Sequence, residues 1–184
     1  CRHSSERGMR AQASRCQEND LRIGYLSAAE AGETDRMIKA LAATLEARGF
    51  RLSGTVQTNR PRDGAAHADM DLWLLPNGPE VRISQTLGPG SSGCRLDPGA
   101  LEDAVAETAR RLPGAEVLIV NKFGRQEAEG RGFRLLLAEA LDQGIPVIIG
   151  VSPDYLADFE AFAGDSAQPL PIDVSAVLRW LSEK

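Results

Sequence analysis

Apolar residues along the chain follow two different spacings. Continuous apolar runs, which are typical of buried strands, occur at 21–26, 115–124 and 145–152, and a further strand-like run covers 50–57. Elsewhere the apolar residues recur every three or four positions. That spacing predicts helices over 34–48, 97–112, 126–143, 155–162 and 173–182. The alternation predicts an α/β fold, in which a mostly parallel sheet is covered by helices on both faces.

One segment breaks the alternation of strands and helices. MDLWLLPNGPEVRISQ (70–85) contains two strand-like runs around a PNGP turn, which predicts a β-hairpin inserted in the sheet. A polar loop is expected over 59–69, before the hairpin. Residues 1–20 are polar and lack apolar periodicity, so they predict a disordered N-terminal tail. Residues 21–184 then predict a single domain.

Composition excludes several classes of function. The formal net charge is -5 and the pI is about 5.1, which argues against a non-specific nucleic-acid partner. The apolar runs are too short for a membrane-spanning helix, so no membrane insertion is expected and the protein is predicted to be cytoplasmic. Three cysteines and two histidines, widely scattered, predict neither a disulfide framework nor a zinc site.

The first candidate site is the loop SAAEAGET (27–34), between the first strand and the first helix. A phosphate-binding P-loop reads G-x-x-x-x-G-K-[ST] in this place. Ser27 takes the position of the first glycine, Gly32 that of the second and Thr34 that of the hydroxyl residue, but Glu33 replaces the lysine. Backbone amides at the helix start could hold an anion. The alternative is an ordinary loop whose acidic residues favour the helix start.

The second candidate site is GPGSSGCR (88–95), which precedes a helix beginning near Asp97. Its predicted anion ligands combine unhindered amides, hydroxyls and a guanidinium group. They are Gly90, Ser91, Ser92, Gly93 and Arg95. Cys94 is either a thiol of lowered pKa that joins this site or a small buried filler of an ordered turn.

The third candidate site is VNKFGRQEAEG (120–130), at the end of the most apolar strand. P-loop nucleoside triphosphatases hold Mg²⁺ with an acid at such a strand end, and Asn121 stands there in this chain. Lys122 and Arg125 make the loop basic. The alternative is a polar strand end in which the asparagine is simply buried.

The order of these loops resembles that of small nucleoside triphosphatases of the P-loop superfamily. The resemblance implies a three-layer P-loop fold, in which lysine and threonine hold phosphate and Mg²⁺ and acids after a later strand serve metal and water. Gly32 and Thr34 match that pattern, as do Gly124 and Glu127. Three positions depart from it and lack the expected charge. They are Glu33, Asn121 and Lys122.

A closer resemblance is to a bacterial family of unknown function. ISQTLGPGSSGCRLDPGAL (83–101) and VNKFGRQEAEGRG (120–132) carry it, and it covers nearly all of the chain after Asp20. Members of that family are described as similar to nucleoside triphosphatases or as linked to molybdenum transport. The resemblance therefore implies a degenerate P-loop domain.

Three functions are compatible with this pattern. The first is binding of a nucleotide or a small oxyanion such as molybdate or tungstate, with little or no hydrolysis. The ligand would lie between 27–34 and 88–95, with Asn121, Lys122 and Arg125 at the rim. The second is a Mg²⁺-dependent nucleoside triphosphatase in which Lys122 or Arg125 replaces the missing lysine and Glu127 orients water.

The third function is a non-catalytic regulatory or scaffold domain. The amphipathic last helix, which contains Trp180, would then bind a protein partner or a second copy of the chain. No resident metal or cofactor is required by any residue pattern. A nucleotide with Mg²⁺, or molybdate or tungstate, is the ligand expected under the first two interpretations.

Overall fold

The computed structural model describes residues 21–61, 68–86 and 95–183. Seven strands form one sheet. They are β1 (Ile23–Leu26), β2 (Leu52–Arg60), β3 (Asp69–Leu75), β4 (Glu80–Arg82), β5 (Val117–Phe123), β6 (Val147–Val151) and β7 (Ala167–Pro169). Their order across the sheet is β4-β3-β2-β5-β6-β1-β7. The predicted disordered tail, residues 1–20, lies outside the described residues.

The sheet is mostly parallel, as the alternation predicts. Parallel pairing joins β2 to β5, β5 to β6, β6 to β1 and β1 to β7. The predicted hairpin is confirmed, since β3 pairs antiparallel with both β2 and β4. It extends the sheet at one edge. Both edges of the sheet are therefore three-residue strands, β4 on one side and β7 on the other.

Helices cover both faces of the sheet. They are α1 (Glu33–Ala47), α2 (Pro98–Arg110), α3 (Arg125–Ala128), α4 (Arg134–Asp142), α5 (Leu156–Ala163) and α6 (Val174–Ser182). One apolar core contains residues of α1 and α6, and we call that side of the sheet the first face. The other core contains residues of α2, α4 and α5 on the second face. The three-layer α/β architecture is thus confirmed.

Local sequence signals account for several boundaries. The side chain of Asp97 accepts hydrogen bonds from the N–H groups of Gly99 and Ala100, and Pro98 occupies the first turn of α2. Residues 117–120 of β5 are all buried, as expected for a strand covered on both faces.

Close packing of β2 against β5 requires a glycine. Gly54 has φ +133°, and a Cβ there would overlap the carbonyl oxygen of Ile119 on β5. No side chain can replace it without moving one of the two strands.

Two expectations about the elements were wrong, and one strand was missed. The helix predicted over 126–143 is two helices, because Gly130 and Gly132 adopt positive φ between α3 and α4. The loop predicted from residue 59 begins later, because pairing of β2 with β3 continues to Arg60. The short strand β7 was not predicted.

No helix in the described ranges is long and apolar enough to cross a membrane. The last helix, α6, turns its apolar side to the first-face core, where Trp180 is buried. The indole N–H of Trp180 donates to Oε1 of Gln168 at 2.7 Å, and the guanidinium of Arg22 lies 4.5 Å from the ring centre. The side chain of Trp180 therefore makes its contacts within the chain itself. Partner binding through α6 stays a prediction. Such binding would have to use residues of α6 other than Trp180.

Candidate ligand sites at the carboxyl ends of the strands

The loop between β1 and α1 has a compact form that ends in a left-handed residue. Gly32 has φ +77° and immediately precedes α1, so a glycine is favoured where a P-loop carries its second glycine. The Thr34 hydroxyl oxygen accepts a hydrogen bond from the N–H of Ala28 at 3.2 Å. This bond ties the start of the loop to the first turn of the helix. Ser27 lies at the other end of the same loop.

Charge in this loop is partly neutralised. Glu30 forms an exposed ion pair with Arg36 at 2.9 Å. Glu33, at the position of the P-loop lysine, forms no ion pair with any residue that the structure describes. A carboxylate therefore stands where a cation would contact phosphate, which weakens the attraction of the loop for a polyanion.

Asn121 is the buried polar group that links the sheet to α1. Its side chain is only 2% exposed, near the carboxyl end of β5. Its Oδ1 accepts a hydrogen bond from the N–H of Gln57 at 2.9 Å, and its Nδ2 donates to Oδ1 of Asp35 at 2.8 Å. Because Asp35 accepts, the residue at position 121 must donate, and an ionised aspartate could not.

A glycine on β6 allows Thr34 and Asn121 to lie close together. A Cβ on Gly150 would overlap the carbonyl oxygen of Asn121 and would lie 2.8 Å from Cγ2 of Thr34. The absence of a side chain thus lets the first turn of α1 pack against the sheet beside β5. Two of the positions expected to act together, 34 and 121, are brought together in this way.

A cavity of about 430 Å³ opens on the second face. Five of the residues predicted to bind a ligand or to act in catalysis line it, and Ser27, Gly32 and Thr34 do not. The five are Arg95, Asn121, Lys122, Arg125 and Glu127. The structure therefore divides the predicted site into two regions, with Asn121 at the boundary of both. Gly90, Ser91, Ser92, Gly93 and Cys94 lie outside the described residues.

Arg95 is fixed at the cavity wall by neighbours on the hairpin. Its Nη1 donates to the carbonyl oxygen of Ala68 at 2.8 Å, and its Nη2 lies 3.8 Å from Oδ1 of Asp69. Asp69 is buried and also pairs with Arg82 at 3.1 Å. Arg95 keeps donor groups that these contacts do not use.

The other two cations at the cavity differ in their pairing. Arg125 forms an ion pair with Glu129, one helical turn away, at 2.7 Å. Lys122 is exposed and forms no ion pair within the described part of the chain. Lys122 is therefore the cation most available to an anionic ligand.

Glu127 is buried, with 4% of its surface exposed, and holds the connection between α3 and α4. Its Oε2 accepts from the N–H of Gly124 at 3.0 Å and its Oε1 from the N–H of Phe133 at 3.2 Å. A Cβ on Gly132 would overlap Oε1, which explains the glycine. Burial raises the pKa of Glu127, and these hydrogen bonds oppose the shift. That it orients water stays a prediction.

Two residues of these regions were not found from the sequence. Asp35 follows the P-loop-like threonine directly, and this adjacency was the available signal. Thr55 lies on β2, where threonine is common in any strand, so nothing distinguished it. Within the described ranges no group of three or more His, Cys, Asp or Glu residues could hold a metal ion.

Comparisons with known proteins agree with the resemblance described above. A sequence model of the family described as Protein of unknown function (DUF2478) matches residues 23–180. The chain is 32% identical over 149 residues to a protein of Bradyrhizobium diazoefficiens called Molybdenum import ATP-binding protein ModC 2. That alignment covers 80% of this chain but 17% of the relative, so the chain corresponds to a small part of it.

A solved structure shows the fold. The solution structure of a human cancer-related nucleoside triphosphatase superimposes with a TM-score of 0.59 at 12% identity. The match covers 89% of this chain and 98% of that one. The chain therefore has the fold of P-loop nucleoside triphosphatases.

Proposed function

The chain belongs to the family described as Protein of unknown function (DUF2478), and from that premise we propose that it binds a nucleotide or a small oxyanion with little or no hydrolysis. The phosphate or oxyanion would lie at the start of α1, against the backbone N–H groups of residues 29–32. In this proposal the protein acts in the cytoplasm and needs no resident cofactor.

The hydrogen bond between Asn121 and Asp35 is the observation that carries the proposal. It occupies the strand end at which a P-loop nucleoside triphosphatase has its metal-binding acid. A carboxylate at position 121 would face that of Asp35 without a donor between them. The second expected charge, that of the P-loop lysine, is also missing, because Glu33 stands at its position. Positioned charges of this kind contribute orders of magnitude to the rate of such reactions, whereas backbone amides alone are sufficient for binding.

Nucleotide is the ligand that we rank first. The fold is shared with a nucleoside triphosphatase, and the name of the bacterial relative includes ATP binding. The same name refers to molybdenum import, which supports molybdate and tungstate as the next candidates.

A thermal-shift panel tests the proposal. The protein would be heated with ATP, ADP, GTP, phosphate, sulfate, molybdate or tungstate, each with and without Mg²⁺. A ligand at 100 times its Kd stabilises the folded state by about 2.7 kcal/mol, which gives a clear shift in Tm. Thr34→Val should weaken the response, because the hydroxyl lies at the start of α1. Thr44→Val, on the same helix away from the loop, is the matched control. No shift with any compound would overturn the proposal.

A second candidate is hydrolysis with displaced charges, and the availability of Lys122 favours it. Lys122 would replace the missing lysine, and Glu127 would orient water. This candidate requires Mg²⁺-dependent release of phosphate that Lys122→Ala and Glu127→Gln both abolish. Because Glu127 also holds the backbone of Gly124 and Phe133, each variant must first be shown to be folded by circular dichroism. Release no higher than a blank excludes this candidate.

A further inference from the structure

We propose that the second-face cavity is a separate site for a small organic anion, whose largely apolar body carries one hydrogen-bonding group inside the cavity and whose charged group lies at the mouth. The proposal does not rest on phosphate binding at the start of α1. It is carried by the apolar lining, by one buried hydroxyl without a partner and by the charges at the mouth.

The inner surface of the cavity is apolar. Its volume of about 430 Å³ falls within the range of roughly 300–1,000 Å³ that is usual for small-molecule sites. Six side chains supply the apolar surface, from β3, the segment after β4, α2 and the start of α4. They are Met70, Leu72, Ile83, Leu96, Leu101 and Phe133. Such a lining favours a ligand with a largely apolar body over a bare oxyanion.

Thr55 lines this cavity, and its side chain carries a buried hydroxyl. The residue is 1% exposed, and its Oγ1 has no hydrogen-bond partner in the part of the chain that the structure describes. Ser53 lies two positions earlier on the same face of β2, and its hydroxyl donates to the carbonyl oxygen of Thr108 on α2 at 3.1 Å. The helix thus satisfies one hydroxyl of the strand and leaves the next, beside the cavity, without a partner among the described residues. A buried polar group without a partner is unusual, and a bound molecule would supply one.

Charges at the mouth favour an anion. Lys122 is exposed and unpaired among the described residues, and Arg95 is held in the wall by Ala68. Two acids also line the cavity. The carboxylate oxygens of Glu127 already accept backbone hydrogen bonds, which leaves Asp154 as the exposed acid at the mouth. An anionic group beside Lys122 and Arg95 is therefore stabilised more than a cation would be.

The experiment uses 6-hydroxy-2-naphthoate (called naphthoate below) as the probe, because its ring hydroxyl can form a hydrogen bond inside the cavity while its carboxylate lies at the mouth. 6-(Hydroxymethyl)-2-naphthol and protonated 6-(aminomethyl)-2-naphthol are the neutral and cationic analogues. Methionine methyl groups labelled with ¹³C report the position of the probe. Met70 lines the cavity. Met37, a residue of α1, packs in the first-face core and serves as the internal control. We expect naphthoate to shift the Met70 methyl signal and to leave that of Met37 in place. We also expect calorimetry to give an affinity at least tenfold above that of the cationic analogue.

Three variants complete the test. Thr55→Val preserves the shape of the side chain and should weaken naphthoate binding about tenfold without lowering the Tm, because it removes one buried hydrogen bond to the probe. Lys122→Glu should remove the preference for the anion. Thr34→Val should leave naphthoate binding unchanged, which separates this site from the proposed phosphate site.

Three results would overturn the inference. One is the absence of any Met70 shift with all three probes. The second is binding that Thr55→Val and Lys122→Glu leave unaltered, which would mark a surface contact. The third is loss of naphthoate binding in Thr34→Val, which would assign the probe to the loop at the start of α1.

Discussion

Asn121 and Asp35 form a pair in which one member must be neutral. The amide of Asn121 donates to the Asp35 carboxylate and accepts from the backbone of Gln57, so it holds α1, β5 and β2 in one arrangement. A P-loop nucleoside triphosphatase has its carboxylate on the strand, whereas this chain has it on the helix. In this chain the negative charge of the pair therefore lies on α1, next to Thr34.

We predict that Asn121→Asp lowers the free energy of unfolding at pH 7 by about 1–3 kcal/mol, because a donor is lost and two carboxylates face each other. Adding Asp35→Asn restores the donor–acceptor pair and should recover most of the loss. Urea denaturation of the four proteins of this double-mutant cycle measures the coupling. Equal stability of the wild type and Asn121→Asp, or a double variant no more stable than the single one, would contradict the prediction.

The buried carboxylate of Glu127 should make stability depend on pH. Burial raises its pKa in the folded chain above the ordinary value of 4.5. Between 4.5 and the raised value the folded state binds more protons than the unfolded state. The free energy of unfolding therefore falls as the pH rises through this window, and the contribution of Glu127 is complete only below it.

We predict that this dependence is absent in Glu127→Gln. The free energy of unfolding of the wild type minus that of the variant should fall as the pH rises above 4.5, because only the wild type loses stability through Glu127 in that window. Urea midpoints measured from pH 4 to 8 test this expectation, and Glu139→Gln, exposed on α4, is the control. Parallel curves for wild type and Glu127→Gln would show that the carboxylate does not titrate in this range.

At the scale of the elements, β2 and β5 meet at a position that only glycine can occupy. We predict that Gly54→Ala lowers the free energy of unfolding by roughly 3 kcal/mol or more, because the clash involves the backbone of Ile119 and cannot be relieved by a rotamer change. Gly114→Ala is the control. It has a similarly unfavourable φ of +80° but nothing within 4 Å, so it should cost about 1–2 kcal/mol.

Urea denaturation of both glycine variants measures this difference. Equal losses in the two would mean that backbone conformation, rather than the contact between β2 and β5, sets the requirement for glycine at position 54. A Gly54→Ala protein that cannot be obtained folded, together with a folded Gly114→Ala protein, agrees with the prediction.

Elements with strong local signals were predictable from the sequence. The apolar run of β5, the cap and proline at Asp97 and Pro98, and the PNGP turn each specify structure through neighbouring residues. Strand β7 depends instead on pairing with β1, and the break after α3 depends on how Glu127 and Gly132 fit together. Those features arise from tertiary contacts, which residue spacing does not encode.

For the candidate sites too, the sequence indicated what local motifs specify and missed what depends on tertiary contacts. Thr34 and Asn121 were found because a known motif fixes their places in the chain. The hydrogen bond from Asn121 to Asp35 and the position of Thr55 beside a cavity require the sheet to be assembled first. The first functional interpretation of the sequence joined the three candidate loops around one ligand, because the sequence could not show that the β1–α1 loop and the cavity adjoin opposite faces of the sheet.

For the molecule as a whole, the missing lysine gives a direct test of the P-loop relationship. We predict that Glu33→Lys increases the affinity for ATP at least about tenfold. The substitution replaces a carboxylate that repels the phosphate groups by the cation that contacts the β- and γ-phosphates in a P-loop. Glu46→Lys makes the same change in net charge at the other end of α1 and should have little effect. Calorimetric titration with ATP compares the two. Equal affinities would mean that position 33 does not face the ligand.

The two ends of the sheet bear on how the protein behaves at high concentration. A terminal strand exposes unpaired backbone groups to which a strand of another molecule can bind, and this is a common start of aggregation. Here each terminal strand has three residues, and one of them, β7, ends in Pro169, which has no N–H to donate. The template offered to a neighbouring chain is therefore short on both sides. We expect any self-association of this protein to use helical or loop surfaces rather than a continuous intermolecular sheet.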